Sequence, residues 1–242
     1  MGGHAFGDGK VTDASKRETA RFFSPRLNVI VKEKTLIVLA GRPPSNDLLN
    51  WRHEESDTVI AVDGAWGFFQ QVGLFPDLLI GDFDSCGEID QIILENPDLN
   101  VMCANDQENT DFEKAIYWTE ENTETSNLVV LGGLGNRTDH FITNLLLGCR
   151  MNSNWCVTFD DSGEWIRRVT PSTPLCLLGR SGAVLSLLPM TPCTGVSSSG
   201  LKWNLRDEQL SITQKLGQSN VCESDRVEVS CESGNLFVFV PK

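Results

Sequence analysis

The chain has 242 residues, 40% of them hydrophobic and 22% charged, which suits a soluble globular protein of one large domain or two modest ones. Its formal net charge of −13 argues against nucleic acid or an anionic membrane as partner, because both reward a basic face; a cationic ligand, or an anionic one arriving with metal, is compatible. None of the eight cysteines forms a C-x-x-C pair, no apolar run reaches the length of a membrane span, and the opening MGGHAFGDGKVTDASKRETAR lacks the apolar stretch of a secretory signal, so a reduced, cytoplasmic setting is expected.

Residues 1–25 are polar and aperiodic and read as a disordered tail. Between 26 and 160, short apolar runs alternate with helix-like patterns. The runs are TLIVLAG (35–41), TVIAVDG (58–64), DLLIGDFDS (77–85), LNVMCA (99–104), LVVLGG (128–133) and WCVTF (155–159). Their hydrophobicity is continuous, as expected of strands buried on both faces in a parallel sheet. Helices are expected over 65–72, 87–95, 111–121 and 139–147, giving a βαβα rhythm and an α/β domain with a mainly parallel sheet. In the last of these, Phe141, Ile142, Leu145 and Leu146 would form the buried face and Gly148 the C-cap. From 161 to 242 helical periodicity disappears. Prolines and glycines punctuate short β-like runs, PLCLLG, AVLSLLP, QLSITQ, RVEVS and NLFVFV, which predicts an all-β sandwich, jelly-roll-like, with the C-terminal run as its last strand.

The chemistry-bearing residues gather at strand ends. AVDG (61–64), IGDFDS (80–85) and LGGLG (131–135) each close an expected strand, and open parallel sheets bind ligands outside the carboxyl ends of their strands. Asp82 and Asp84 are two apart, so in extended backbone both carboxylates face one way and invite a cation such as magnesium. Taken alone, the same letters serve equally as a turn whose aspartates accept local amide hydrogens. Thr110 and Glu113 form a capping box, T-x-x-E, which places Asp111 in the first turn of a helix. An acid there is favoured by the helix dipole in any case, yet Asp106, Gln107 and Asp111 cluster at the same edge, and Asp111 is a third candidate metal ligand. LVVLGGLGNRTDHFITNLLLG is strand, glycine turn and helix. It suits a phosphate cradle with Arg137 as clamp, although a tight structural turn fits the glycine pattern as well. In GLKWNL (200–205), Trp203 reads by position as sandwich core; exposed to a cleft, it would stack a flat or cationic ring.

Together these residues resemble the thiamine pyrophosphokinase family. The resemblance is carried by V-D-G at 62–64, G-D-F-D-S at 81–85, D-Q-E-N-T-D-F-E-K at 106–114, G-G-L-G-N-R-T-D-H at 132–140 and G-L-K-W-N-L at 200–205, in family order, and spans nearly all of the chain except the tail. It implies pyrophosphoryl transfer from ATP with Mg2+ to the hydroxyl of thiamine, AMP as second product, and a homodimer with active sites where subunits meet. By position it puts the metal on Asp82, Asp84 and Asp111, with Arg137 completing the catalytic set. Asp63, Gly64, Gln107, Thr110, Gly133, Arg137 and Asp139 fall on the nucleotide side, and Trp203, Ser219 and Asn220 on the thiamine side. The chain departs from the family pattern at three places: Ala65-Trp66 in the turn after Gly64, Asn136 in place of a glycine, and Gly217 in place of a serine. The competing expectations are a non-catalytic thiamine or nucleotide-binding module, and a pyrophosphokinase for another small alcohol.

Overall fold

A computed structural model describes residues 34–83, 89–103 and 108–242; the tail expected over 1–25, and with it Asp84 and Gln107, lies outside the described residues. The first part of the chain runs β1 (Lys34–Val38), α1 (Asn46–Glu54), β2 (Thr58–Val62), a 3-10 turn (Asp63–Ala65), α2 (Trp66–Val72), β3 (Leu78–Gly81), α3 (Ile89–Glu95), β4 (Asn100–Cys103), α4 (Asp111–Asn122), β5 (Asn127–Leu131), α5 (Thr138–Arg150) and β6 (Cys156–Asp160). These six strands pair in parallel in the order β6-β5-β1-β2-β3-β4.

Continuous hydrophobicity in these strands has a direct structural cause. Leu36, Val38, Val59, Ala61, Leu79, Val129 and Leu131 face one way, onto Leu48 and Leu49 of α1, Trp66 and Phe69 of α2 and Ile92 of α3. Ile37, Ile60, Ile80, Leu128 and Val130 face the other way, onto Phe112, Ala115 and Ile116 of α4 and Leu145 and Leu147 of α5. With a helix layer on each face, the middle positions of β1, β2, β3 and β5 are apolar, and polar residues fall at strand starts and ends. α1 goes unannounced by periodicity because its two buried residues, Leu48 and Leu49, are adjacent instead of three or four apart; its start is marked by Ser45, which accepts from the Leu48 amide at 3.3 Å.

The second part contains β7 (Glu164–Val169), β8 (Leu175–Leu178), β9 (Val184–Pro189), β10 (Cys193–Ser199), β11 (Glu208–Leu210), β12 (Gly217–Val221), β13 (Arg226–Ser230) and β14 (Leu236–Pro241), with no described helix. The expected fold class holds, with a connection the sequence did not announce. β7, β14, β9 and β12 extend the first sheet as antiparallel strands, giving ten strands in the order β12-β9-β14-β7-β6-β5-β1-β2-β3-β4. The sandwich forms where the second sheet, β11-β10-β13-β8, covers one face of that extension around Val169, Leu185, Leu187, Val227, Val238 and Val240. β14 therefore serves two cores: Phe237 packs with α5, and Val238 packs in the sandwich. β10 and β12, CTGVSSS and GQSNV, carry too little apolar alternation to read as strands; β12 is an edge strand.

Two features of α5 differ from expectation. Ile142 and Leu146 are 48% and 45% exposed, and the buried positions are Leu145, Leu147 and Gly148. Gly148 is not the C-cap, which is Met151. It sits inside the helix, where a Cβ would lie 3.1 Å from Phe159 and 3.2 Å from Phe237, so glycine is there to let the helix approach the sheet. The helix end is instead held by Arg168 of β7, which is fully buried. Its guanidinium donates to the carbonyls of Gly148 (2.6 Å), Met151 (2.9 Å), Asn152 (2.6 Å) and Trp155 (2.8 Å). Burial lowers its pKa to about 10, so it stays charged at neutral pH, placed on the carbonyl groups left over at the end of the helix.

Candidate active site

The carboxyl ends of the parallel strands bring together the residues that matter. Asp63 follows β2 directly and has a left-handed backbone, φ +49°. Gly81, the last residue of β3, lies against it: a Cβ there would come within 3.1 Å of the Asp63 Cα and 3.2 Å of its Cβ. Only glycine lets the two strand ends close this far, and Asp82 is the next residue. Gly64 borders Ala40 in the turn after β1. At the start of α4, Thr110 is the N-cap expected from T-x-x-E. Its hydroxyl oxygen accepts from the Glu113 amide at 3.2 Å, and the Glu113 carboxylate accepts from the Thr110 amide at 3.0 Å. Asp111 is the first helical residue, and Lys114 Nζ lies 2.9 Å from its Oδ1. Lys114 is 9% exposed at its side chain, so this charge is held in place. It is a residue the sequence reading passed over, although it closes the D-Q-E-N-T-D-F-E-K motif three positions after Asp111, on the same helix face.

The glycine turn after β5 is built by close approach. Gly132 has φ +67°, and a Cβ on it would fall 2.0 Å from the Leu39 carbonyl oxygen. Gly133 is buried against Phe159 and Val130, and Asn144 of α5 donates to its carbonyl at 2.9 Å, pinning the turn to the helix that follows. Asn136 adopts φ +59°, a conformation asparagine tolerates, which explains how it stands in for glycine. Arg137 occupies the N-cap position of α5. It donates from Nε (3.2 Å) and Nη2 (2.6 Å) to the two oxygens of Asp139. The Arg137 hydrogen bond holds the Asp139 carboxyl down at about 2. Among the described residues no three acids, histidines or cysteines converge on a metal position; Asp82 and Asp111 are described, and Asp84 lies outside.

The second group sits at the other end of the ten-stranded sheet. Trp203 is 56% exposed, which overturns the reading of it as sandwich core. Lys202 Nζ stands 4.8 Å from its ring centroid. The backbone beneath is clamped by Asn220, a buried residue of β12. Trp203 N–H donates to Asn220 Oδ1 at 3.1 Å, and Asn220 Nδ2 donates back to the Trp203 carbonyl at 2.8 Å. Ser219 has φ +58°, and its amide donates to Ser186 Oγ at 3.0 Å. At Gly217 a Cβ would fall 2.9 Å from that of Leu187, so the serine found there in the family pattern has no room in this backbone. Trp66, the other departure, is buried in the α1–α3 core against Phe75 and fills space instead of facing the edge.

Residues 50–158 match the family model "Thiamin pyrophosphokinase, catalytic domain", and residues 178–236 match "Thiamin pyrophosphokinase, vitamin B1 binding domain". A Caenorhabditis elegans relative, Thiamin pyrophosphokinase 1, is 31% identical over 190 residues, covering 74% of this chain and 76% of its own. The rice Thiamine pyrophosphokinase 1 is 29% identical over 167 residues, and the match spans 65% of this chain and just under two thirds, 63%, of that relative. Among solved structures, thiamine pyrophosphokinase from Bacillus subtilis superposes with a TM-score of 0.72 at 25% identity, covering 87% of this chain and 99% of that one.

Proposed function

Since the chain belongs to the thiamin pyrophosphokinase family, we propose that it transfers the pyrophosphoryl group of ATP to the hydroxyl of thiamine, releasing AMP. One observation carries the reading: Asp63, Asp82, Asp111 and the glycine turn of 132–135 all stand at the carboxyl edge of one parallel sheet. In this reading residues 26–160 form the nucleotide- and metal-binding domain and residues 161–242 the thiamine-binding domain.

Asp82 and Asp111 offer the carboxylate oxygens that a hard divalent cation takes, with Asp84 the expected third ligand. Bound there, Mg2+ supplies charge neutralisation at the phosphates. Lys114 holds Asp111 in orientation and offsets part of the acidic charge at this edge. Arg137, already aligned by Asp139, stabilises the charge that develops on the phosphates, and the turn around Gly133 lets backbone approach them; Gly64, Gln107 and Thr110 complete the nucleotide side. Trp203 stacks on the cationic ring of thiamine, Asn220 holds the loop that presents it, and Ser219, tied to Ser186, completes the thiamine side. The thiamine hydroxyl oxygen gives its proton to a carboxylate at this edge as it forms a bond to the β-phosphorus, the bond from that phosphorus to the α-phosphate oxygen breaks, and AMP leaves with its electron pair.

The active unit in this reading is a homodimer. Eight strand steps separate β12 from β3 in the sheet, and at ~4.8 Å per step the Trp203 loop and Asp82 are roughly 40 Å apart in one chain. A thiamine held by Trp203 meets an ATP held at Asp82 when the two come from different subunits. No helix among the described residues is long and apolar enough to cross a membrane, and a cytoplasmic location is part of the proposal.

The test is the purified chain with ATP, magnesium and thiamine, following AMP and thiamine pyrophosphate. They should appear in equal amounts. ADP in place of AMP, or preference for another alcohol, would overturn the assignment. Binding of thiamine and ATP without turnover would favour the non-catalytic module. For the dimer, mixing inactive Asp82→Asn with Trp203→Ala at low thiamine should restore activity, since one site of each mixed dimer is intact.

A further inference from the structure

Arg42 lies in the turn after β1, at the same edge as the glycine turn after β5. The two turns touch backbone to backbone: a Cβ added at Gly41 would fall 2.1 Å from the Gly132 carbonyl oxygen. At Gly135 a Cβ would meet the guanidinium carbon, Nε and Nη2 of Arg42, each at 2.8 Å. The guanidinium thus occupies the space a side chain at 135 would need, two residues along the chain from Arg137. Its ion-pair partner among the described residues is Asp161, with Nη1 3.9 Å from Oδ2, beyond hydrogen-bond reach. The Arg42 side chain is 58% exposed and its donors make no hydrogen bond among the described residues. Arg52, Arg137, Arg168 and Arg226, by contrast, each donate to an acid or a carbonyl.

We propose that Arg42 is a second phosphate-binding guanidinium, which with Arg137 brackets the glycine turn and grips the polyphosphate of the nucleotide. The inference rests on the nucleotide reading given above. The edge is lined by Asp63, Asp82 and Asp111, and Arg42 would add positive charge for an arriving polyphosphate beside Lys114, Arg137 and the expected metal. An arginine forks onto phosphate oxygens through paired N–H donors, and Arg42 has those donors unspent. The alternative role is a strap joining the β1 turn to the residue after β6 through Asp161. Asp161 is buried but Arg42 is 58% exposed, and at 3.9 Å the two make no hydrogen bond, so a strap alone gives the residue slight work.

The experiment compares Arg42→Ala, Arg42→Lys and Asp161→Asn in the full chain. Arg42→Ala should raise the KM for ATP about tenfold, equivalent to ~1.4 kcal/mol, with the thiamine KM within about threefold of wild type and Tm little changed. Lysine should restore part of the loss, since it keeps the charge and lacks the fork. Direct titration with a non-hydrolysable ATP analogue should show the same loss, and titration with adenosine should show none. Asp161→Asn keeps its Oδ1 acceptor for the Gly163 amide and should leave ATP affinity within about threefold or tighten it. Equal affinity of wild type and Arg42→Ala for the analogue overturns the inference, as does a loss with Asp161→Asn equal to that with Arg42→Ala. Failure of the wild-type chain to release AMP would count against the proposed reaction, while the analogue titration still decides Arg42.

Discussion

The two halves of the ten-stranded sheet reach function by different routes. In the parallel half β1, β2, β3 and β5 are buried on both faces, side chains along these strands are committed to packing, and chemistry is left to the strand ends. Asp63, Asp82 and the Gly132–Gly133 turn stand there because the chain must leave the sheet at that edge before each crossover helix. In the antiparallel half, one face of the extension is covered by α5 and the other by the second sheet, and the exposed Trp203 comes from a loop, not a strand end. Topology places the first group of residues. Hydrogen bonds with a single buried asparagine place the loop of Trp203.

The sharpest way to break this contrast is at the joint between the halves. Arg168 sits on β7 and gathers four carbonyls at the end of α5 and the loop beyond it. Arg168→Ala leaves buried carbonyls unsatisfied and should cost about 3–5 kcal/mol. At roughly 2–4 °C per kcal/mol for a chain of this size, Tm should fall by about 6–20 °C, read by calorimetry. A loss under about 1 kcal/mol would mean that the two halves are not joined through this residue.

The parallel half is next. Asp82 is exposed, so Asp82→Asn should leave Tm almost unchanged while turnover in saturating magnesium drops about a hundredfold or more, the loss of several kcal/mol of charge stabilisation. The expected effect of Asp84→Asn is the same. Turnover within a few-fold of wild type would remove the metal role from this edge.

In the antiparallel half, Asn220→Ala should cost about 1–3 kcal/mol of stability and raise the thiamine KM, leaving the ATP KM in place. Trp203→Ala should raise the thiamine KM about tenfold, since ring stacking on a cation is worth ~0.5–2 kcal/mol. Because Trp203 is exposed, Tm should move by little, in contrast to the ~3–5 kcal/mol a core tryptophan would cost. A matched rise in the KM of both substrates would return it to a structural role.

The smallest effect concerns pH. The Asp139 carboxyl is held at about 2 by Arg137, a depressed value, so the pair is complete at every pH above that and is lost only as pH falls through it. The acid limb of kcat/KM between pH 4 and 7 should therefore be the same in wild type and Asp139→Asn. A limb that disappears in the variant would mean Asp139 titrates at neutral pH and is not held by Arg137.

Much of this protein is legible in its letters. Unbroken apolar runs can persist only in strands covered on both faces, so β1–β6 and the parallel sheet follow from the sequence, as do the Thr110 cap and the first-turn position of Asp111, which depend on residues three apart. The combination of G-D-F-D-S, D-Q-E-N-T-D and G-L-K-W-N-L is specific enough to identify the family without coordinates. Tertiary structure alone decided the remainder. Gly148 reads as a helix terminator until Phe159 and Phe237 are seen to require its missing side chain. Ile142 and Leu146 look buried by period, yet the sheet reaches only the other side of α5. Trp203 looks like core until Asn220, seventeen residues away, is found holding its backbone outward. Arg42 carries no motif of its own; the role proposed for it rests on what the fold sets beside it, the bare Cα of Gly135. Periodicity and capping are local properties of the chain, whereas exposure and charge pairing depend on which distant segments arrive to cover a residue, and that is settled only when the chain is packed.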